Sequence, residues 1–177
     1  MSVNETVTAA FKGWSRILGG HSDWRSFFTF DAQALNLGFV LYFAAATLSV
    51  IALVMRVGMP ASQTMITLIA GHAMPVLALV ISASFARRAL ALPNPVTEFY
   101  VPGLFLLALM NFAGAVTILI GVPLWGAILA LTAVFFHKLG RAAGLAFGPA
   151  LAFALFNFVA GLPYSLYMMG GMFAVSA

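Results

Sequence analysis

The chain has 177 residues, of which 63% are hydrophobic and only 7% are charged. Soluble domains carry about 25% charged residues, so the composition excludes an ordinary soluble domain and indicates an integral membrane protein with several spans. The absence of cysteine excludes disulfides, thiolate nucleophiles and thiolate-held metal centres. The net charge is +4, but the basic residues are scattered and form no stripe typical of nucleic-acid binding.

The first 35 residues precede the first long apolar run and are predicted to form a separate headpiece, residues 1–35. Between Val7 and Leu18, apolar residues recur at helical spacing, with Lys12 and Arg16 elsewhere. This pattern is typical of an amphipathic helix that lies in the membrane interface on the cytoplasmic side. Its polar face is also a candidate docking surface for a cytoplasmic partner or another subunit. The expected interfacial anchors are Phe11, Trp14 and Trp24.

Residues 36–177 are predicted to form a bundle of five transmembrane helices, so the expected fold class is all-α. A helix needs about 20 apolar residues to cross the hydrocarbon core, and the fourth run is shorter than that. We count it as a span because Gly121–Pro123 supply a turn signal, and one helix over 101–136 would be too long. The predicted spans are Leu37–Met55, Met65–Ala86, Val101–Ile120, Leu124–Phe136 and Leu145–Met168.

The positions of the basic residues test this span count, because cytoplasmic loops of membrane proteins carry an excess of Lys and Arg. With five spans and a cytoplasmic N-terminus, seven of the eight basic residues lie inside, and only Arg56 lies outside. Merging the third and fourth spans would place Lys138 and Arg141 outside as well. The charge pattern therefore predicts five spans, with the N-terminus in the cytoplasm and Ala177 on the outer side.

Three polar side chains fall near the middle of the predicted spans: His72 in the second, Asn111 in the third and Asn157 in the fifth. Each costs free energy in lipid unless it finds a partner. Just after His72, the ring of Pro75 leaves a backbone carbonyl of the preceding turn without its helical donor. Two interpretations are open: the three side chains form hydrogen bonds between helices, or they line the path of a solute. No acidic residue lies in a predicted span, which weakens the case for a cation pathway.

A short repeat connects the third and fifth predicted spans. The segment Ala108–Phe112 (ALMNF) recurs as Ala154–Phe158 (ALFNF), with the predicted hairpin between the two copies. Because one hairpin separates the copies, these two spans would run parallel, and a true duplication would make them an internal repeat of the kind that transporters contain. Coincidence is the alternative, because the segments draw on the commonest residues of this chain.

Small residues recur at every fourth position near the start of the fifth span. Such spacing lines one face of a helix and lets a second backbone approach closely, so it predicts a helix-packing face. The alternative is that the first two glycines only loosen the loop before the span. The candidate packing face consists of Gly140, Gly144, Gly148 and Ala152.

Five closely spaced helices behind a cytoplasmic headpiece, with a Gly-x-Pro hairpin at Gly121–Pro123, resemble the Yip1-domain membrane proteins. The likeness covers most of the chain at the level of topology. It implies a membrane-organising or trafficking-type protein in the inner membrane of a bacterium, without catalytic residues. It implies no particular site residue.

Three classes of function are compatible with these features, and we predict the first of them. A non-catalytic scaffold, accessory subunit or membrane-organising protein fits the headpiece and the small-residue face. A small oligomeric transporter or channel, using His72, Asn111 and Asn157, is the alternative. An intramembrane enzyme has least support, because the sequence offers no paired acids in its spans and no metal-ligand cluster. We expect no cofactor, no metal and no nucleic acid, and as partners the bilayer, another membrane protein or a second copy.

Overall fold

The computed structural model describes residues 3–122 and 124–173, and all regular secondary structure within those ranges is helical. A 3-10 helix, Ser22–Phe27, lies between the first two α-helices. The six α-helices are α1 (Val3–Leu18), α2 (Ala32–Val57), α3 (Ser62–Ala89), α4 (Thr97–Ile120), α5 (Trp125–Ala142) and α6 (Phe147–Phe173). Four of them are long and apolar enough to cross a membrane: α2, α3, α4 and the Phe147–Leu166 part of α6. The protein is therefore all-helical, with four candidate spans among the described residues.

The structure has four candidate spans where five were predicted, and the helix that is missing from them is α5. It forms as a helix, as the turn signal before it indicates, but it is not among the candidate spans. The physical reason is that its last two turns carry His137, Lys138 and Arg141, which lower its mean hydropathy. With 18 residues it is ~27 Å long, slightly less than the hydrocarbon core.

Contacts along α5 show that it runs antiparallel to α6 for its whole length. The side chain of Leu129, near the start of α5, lies against Gly161, near the middle of α6. Closer to the start of α6, the ring of Phe136 meets Phe153 edge-on at 5.6 Å between centroids. Because α5 follows α4 through a tight turn that ends α4 at Gly121, α4 and α6 run in the same direction. The two copies of the short repeat thus lie on parallel helices.

The helix α4 is the centre of the bundle. Within its most apolar window 67% of the residues are buried, compared with 28% to 39% in the other candidate spans. It packs against α2, α3 and α5, and it also touches α1. A second apolar cluster, near the turn between α4 and α5, is built around Leu53, Leu68, Ile118 and Trp125. Apolar clusters therefore pack toward both ends of the bundle, and the predicted polar residues His72, Asn111 and Asn157 lie between them.

The headpiece packs against the bundle. Trp14 is 6% exposed, its indole Nε1 donates a hydrogen bond to the backbone oxygen of Pro102 at 3.1 Å, and its ring lies 5.3 Å from that of Phe135. Trp24 is also buried, whereas Phe11 is 55% exposed. Two of the three predicted interfacial anchors, Trp14 and Trp24, thus lie against protein. The helical pattern identifies an apolar face, but it does not say which surface covers that face.

An ion pair joins the headpiece to the first turn of α4. The guanidinium of Arg25 donates to the carboxylate of Glu98 at 2.9 Å and lies over the ring of Trp24, 4.7 Å from its centroid. Glu98 is buried, so its charge would be costly without this partner, and its place in the first turn of a helix is electrostatically favourable. A second ion pair of the headpiece, Arg16 with Asp23, is exposed and contributes little to stability.

The four small residues predicted to form one packing face do not share a helix. Gly140 belongs to α5 and approaches Ala150, whereas Gly144 lies in the turn before α6 with a left-handed φ of +99°. A Cβ at Gly148 would meet nothing within 4 Å, and Ala152 is exposed. Residues spaced four apart do not form one face here, because the turn between α5 and α6 separates them into two helices. Gly144 is required by the turn conformation rather than by packing.

Candidate functional site

A hydrogen-bonded group of three aromatic side chains lies at the proline of α3. The ring nitrogen Nε2 of His72 is 2.5 Å from the hydroxyl of Tyr164 on α6. The hydroxyl of Tyr42 on α2 donates to the backbone oxygen of His72. Pro75 has no backbone N–H, so this turn of α3 lacks one hydrogen-bond donor. The hydroxyl of Tyr42 supplies a donor from another helix to the carbonyl of His72, next to the carbonyl that Pro75 leaves without its helical partner. The polar groups therefore tie three helices together at the bend.

The contacts of His72 fix its protonation pattern. Its Nδ1 lies 2.9 Å from the backbone oxygen of Leu68, which can only accept a hydrogen bond, so Nδ1 carries the proton. In the neutral imidazole Nε2 is then an acceptor, and the hydroxyl of Tyr164 is the donor to it. The ring is 4% exposed and both of its nitrogens are satisfied. This arrangement is that of a structural histidine within the bundle.

The two predicted asparagines are buried and make different hydrogen bonds. The side-chain nitrogen of Asn157 donates to the hydroxyl oxygen of Ser82 on α3 at 2.9 Å and to the backbone oxygen of Phe153 at 2.8 Å. The side-chain nitrogen of Asn111 donates to the backbone oxygen of Leu107, within its own helix. The amide of Asn157 thus bonds to α3, whereas the amide of Asn111 bonds within α4 and also interacts with the hydroxyl of Tyr42 on α2.

We expect Asn157→Leu to destabilise the protein slightly more than Asn111→Leu. Both substitutions remove a bond within one helix. In Asn111→Leu the hydroxyl of Tyr42 keeps its bond to the backbone oxygen of His72, whereas Asn157→Leu removes the direct bond to Ser82, and such interhelical bonds are worth ~0.6 kcal/mol on average. Unfolding by denaturant in mild detergent measures the difference. Equal stabilities of the two variants would show that the bond between α6 and α3 contributes nothing measurable.

A small cavity lies between α3, α4, α5 and α6, and we call it the central cavity. Its volume, measured as the space open to the centre of a water molecule, is about 50 Å³. Asn111 and Asn157 both line it, so the structure brings these two predicted residues to one site. His72 does not line it but is connected through Tyr164, which does. The polar lining residues are Asn111, Trp125, Thr132, Asn157, Tyr164 and Ser165.

Sequence reasoning missed the partners of the predicted residues. Tyr42 and Tyr164 are polar tips in apolar helices, and they carry the contacts with His72. Ser49, another polar residue within a span, donates to the backbone oxygen of Asn111 at 2.9 Å. The sequence signal that could have found them is position, because each of these hydroxyls lies within an apolar run. Among the described residues, no group of three His or acidic side chains could hold a metal ion.

A large concave surface, an apolar groove, lies between α1 and the bundle, and we call it the α1 groove. Its volume is about 690 Å³, and nearly all of its lining is apolar. Phe11 and Trp14 form its α1 side. The α2 side consists of Leu41, Ala44, Ala45 and Leu48. The α4 side consists of Phe105, Ala108, Leu109 and Phe112.

Comparison with protein-family models, with curated proteins and with solved structures gives no match for this chain. The resemblance to the Yip1-domain proteins is therefore an expectation at the level of topology alone.

Proposed function

We propose that this protein is a non-catalytic accessory or scaffold subunit of a bacterial inner membrane, which binds a transmembrane helix of another membrane protein in the α1 groove. The observation that carries the proposal is the groove itself. It is large, almost entirely apolar, and bordered by the amphipathic helix α1 on one side and by two bundle helices on the others. An apolar concavity of this size on a membrane protein offers extensive contact to an apolar partner.

The spacing of the lining residues supports a helix as the occupant. On α2 and on α4 the lining residues follow one another at intervals of three, one and three, which is the spacing of a single helix face. Small side chains lie in the middle of both faces, namely Ala44 and Ala45 on α2 and Ala108 on α4. Small residues let the backbone of a second helix approach closely, which is how helices associate in lipid. A lipid chain requires no such periodicity.

The same proposal includes five crossings and a cytoplasmic N-terminus. Support comes from the packing of Phe153, near the start of α6, against Phe99 of α4 at 5.5 Å and against Phe136 of α5 at 5.6 Å. These contacts bring the basic end of α5, with Lys138 and Arg141, to the same end of the bundle as the headpiece. In this proposal α5 crosses the membrane as a short fifth span, and the positive charges gather on the cytoplasmic side.

The lack of cysteine in the chain makes this orientation easy to test. We expect a single cysteine at Ser62, at the start of α3, to react with a membrane-impermeant maleimide added outside intact cells. A single cysteine at Lys138 should react only after the cells are opened, because it lies at the opposite end of the bundle. Labelling of Lys138→Cys from outside would contradict five crossings with a cytoplasmic N-terminus.

Site-specific photocrosslinking tests the proposed partner. A photoreactive amino acid in place of Leu109, inside the α1 groove, is expected to form a discrete protein adduct in membranes of the native cell. Ala44→Trp should weaken this adduct strongly, because Ala44 is exposed within the groove and an indole there fills the space. Ala130→Trp, at an exposed position of α5 that does not line the groove, is the matched control and should leave the adduct unchanged.

The mass of the adduct decides between the possible occupants. An adduct with a different membrane protein supports the proposal. An adduct only with phospholipid, or only with a second copy of this chain, contradicts it and identifies a lipid-binding groove or a homo-oligomer instead. Equal adduct yields in the Ala44→Trp and Ala130→Trp variants would show that the groove is not the site of contact.

A small oligomeric transporter or channel is the second candidate, and the central cavity is the observation that favours it. Asn111 and Asn157 face that cavity, and His72 is joined to its wall by Tyr164. Its volume of about 50 Å³ is far below the 300–1,000 Å³ of typical small-molecule sites. The satisfied imidazole and the small volume make this candidate weaker than the accessory role.

A further inference from the structure

Three buried polar atoms around the central cavity lack a hydrogen-bond partner among the residues that the structure describes. They are Oδ1 of Asn111, Oδ1 of Asn157 and the indole Nε1 of Trp125. All three residues line the cavity, and their exposed fractions are only 4% to 6%. In a membrane-embedded bundle, a polar atom left without a partner is costly, so three at one cavity indicate a ligand that satisfies them.

The orientation of both amides is set by their other bonds. The backbone oxygens of Leu107 and Phe153 can only accept hydrogen bonds, so the side-chain nitrogens of Asn111 and Asn157 must point toward them. The amide oxygens are then the atoms left to face the cavity. The site therefore presents two acceptors from α4 and α6 and one donor from α5.

We propose that the central cavity is a binding site for ordered water, which bridges α4, α5 and α6 through Asn111, Trp125 and Asn157. Water donates two hydrogen bonds and accepts others, which matches the two amide oxygens and the indole N–H. A water molecule needs roughly 10–15 Å³ of such space, so the volume of about 50 Å³ accommodates about three to five.

Other ligand classes fit this site poorly. A cation would meet two neutral amide oxygens and no acidic side chain, because none of the lining residues is acidic. An anion would face the two amide oxygens, which repel it. A larger organic molecule exceeds the volume. Water is the ligand whose size, charge and hydrogen-bonding pattern all agree with the cavity.

Hydroxyl-radical footprinting of the full-length protein in nanodiscs tests this site, because X-ray radiolysis of a bound water oxidises the side chains next to it. Met110 lines the cavity, whereas Met168 does not, and both are buried. We expect Met110 to be oxidised several-fold faster than Met168, with incorporation of heavy oxygen from labelled water. Equal oxidation rates of the two methionines would overturn the proposal.

A cavity-filling variant provides the control. Asn157→Leu replaces one of the two acceptors by an apolar side chain and should reduce the oxidation of Met110 to the rate of Met168. If this variant does not fold, Asn111→Leu removes the other acceptor and carries the same expectation. Undiminished oxidation of Met110 in a folded variant would show that the amides do not hold the water, and it would also overturn the proposal.

Discussion

Trp14→Ala is expected to release α1 from the bundle, with a loss of about 3–5 kcal/mol in the free energy that holds the helix in place. The indole is almost fully buried, it contacts Phe135, and its nitrogen holds the backbone oxygen of Pro102. Alanine would leave a cavity at all of these contacts. Trypsin digestion in detergent measures the effect, because cleavage after Lys12 and Arg16 should become much faster than in the wild type.

Phe11→Ala is the matched control for this prediction. Phe11 lies on the same helix and has a similarly large aromatic ring, but it is 55% exposed, so its removal should change the free energy of docking by less than about 0.5 kcal/mol. Equal acceleration of cleavage by Phe11→Ala and Trp14→Ala would contradict the docked arrangement. It would show instead that lipid holds the helix through both rings.

Gly114→Leu is expected to force α4 and α5 apart near their connecting turn and to cost about 3 kcal/mol. A Cβ at Gly114 would overlap the ring of Trp125, which is 4% exposed and belongs to the apolar cluster at this end of the bundle. The indole cannot move away without opening that cluster. We expect a clearly lower midpoint of thermal unfolding in detergent and a changed fluorescence of Trp125.

Gly148→Leu controls for the loss of a helical glycine. A Cβ at Gly148 meets nothing within 4 Å, and leucine favours helix more than glycine does, so this variant should be as stable as the wild type or slightly more so. If both variants unfold at the same temperature, the close approach of α4 and α5 does not contribute to stability.

The helices of the bundle could largely be predicted from the sequence, because long apolar runs separated by proline and glycine fix where each helix must lie. Their ends were less predictable. The first span was predicted from Leu37, whereas α2 begins at Ala32, because the carboxylate of Asp31 caps the helix by accepting a bond from the Ala34 amide at 2.7 Å. Hydropathy does not detect a cap that lies in a polar segment.

The contacts at the candidate site could be predicted only in part. Sequence indicates the depth of a polar residue in the membrane, so His72, Asn111 and Asn157 were identifiable. It does not indicate how each helix is rotated about its axis, and rotation decides that Tyr164 meets His72 and that Asn157 meets Ser82. The α1 groove could not be predicted from the sequence for a related reason, because it forms only when α1 packs on helices that are distant in the chain.

The bond between Trp14 and Pro102 joins residues 88 positions apart, and this separation has a consequence for biosynthesis. At roughly 5–20 residues per second, a ribosome needs roughly 4–18 s to extend the chain from one residue to the other. Throughout that interval the surfaces of α4 and α5 against which Trp14 packs do not yet exist. The docking of the headpiece through Trp14 is therefore completed only after α4 and α5 have been synthesised.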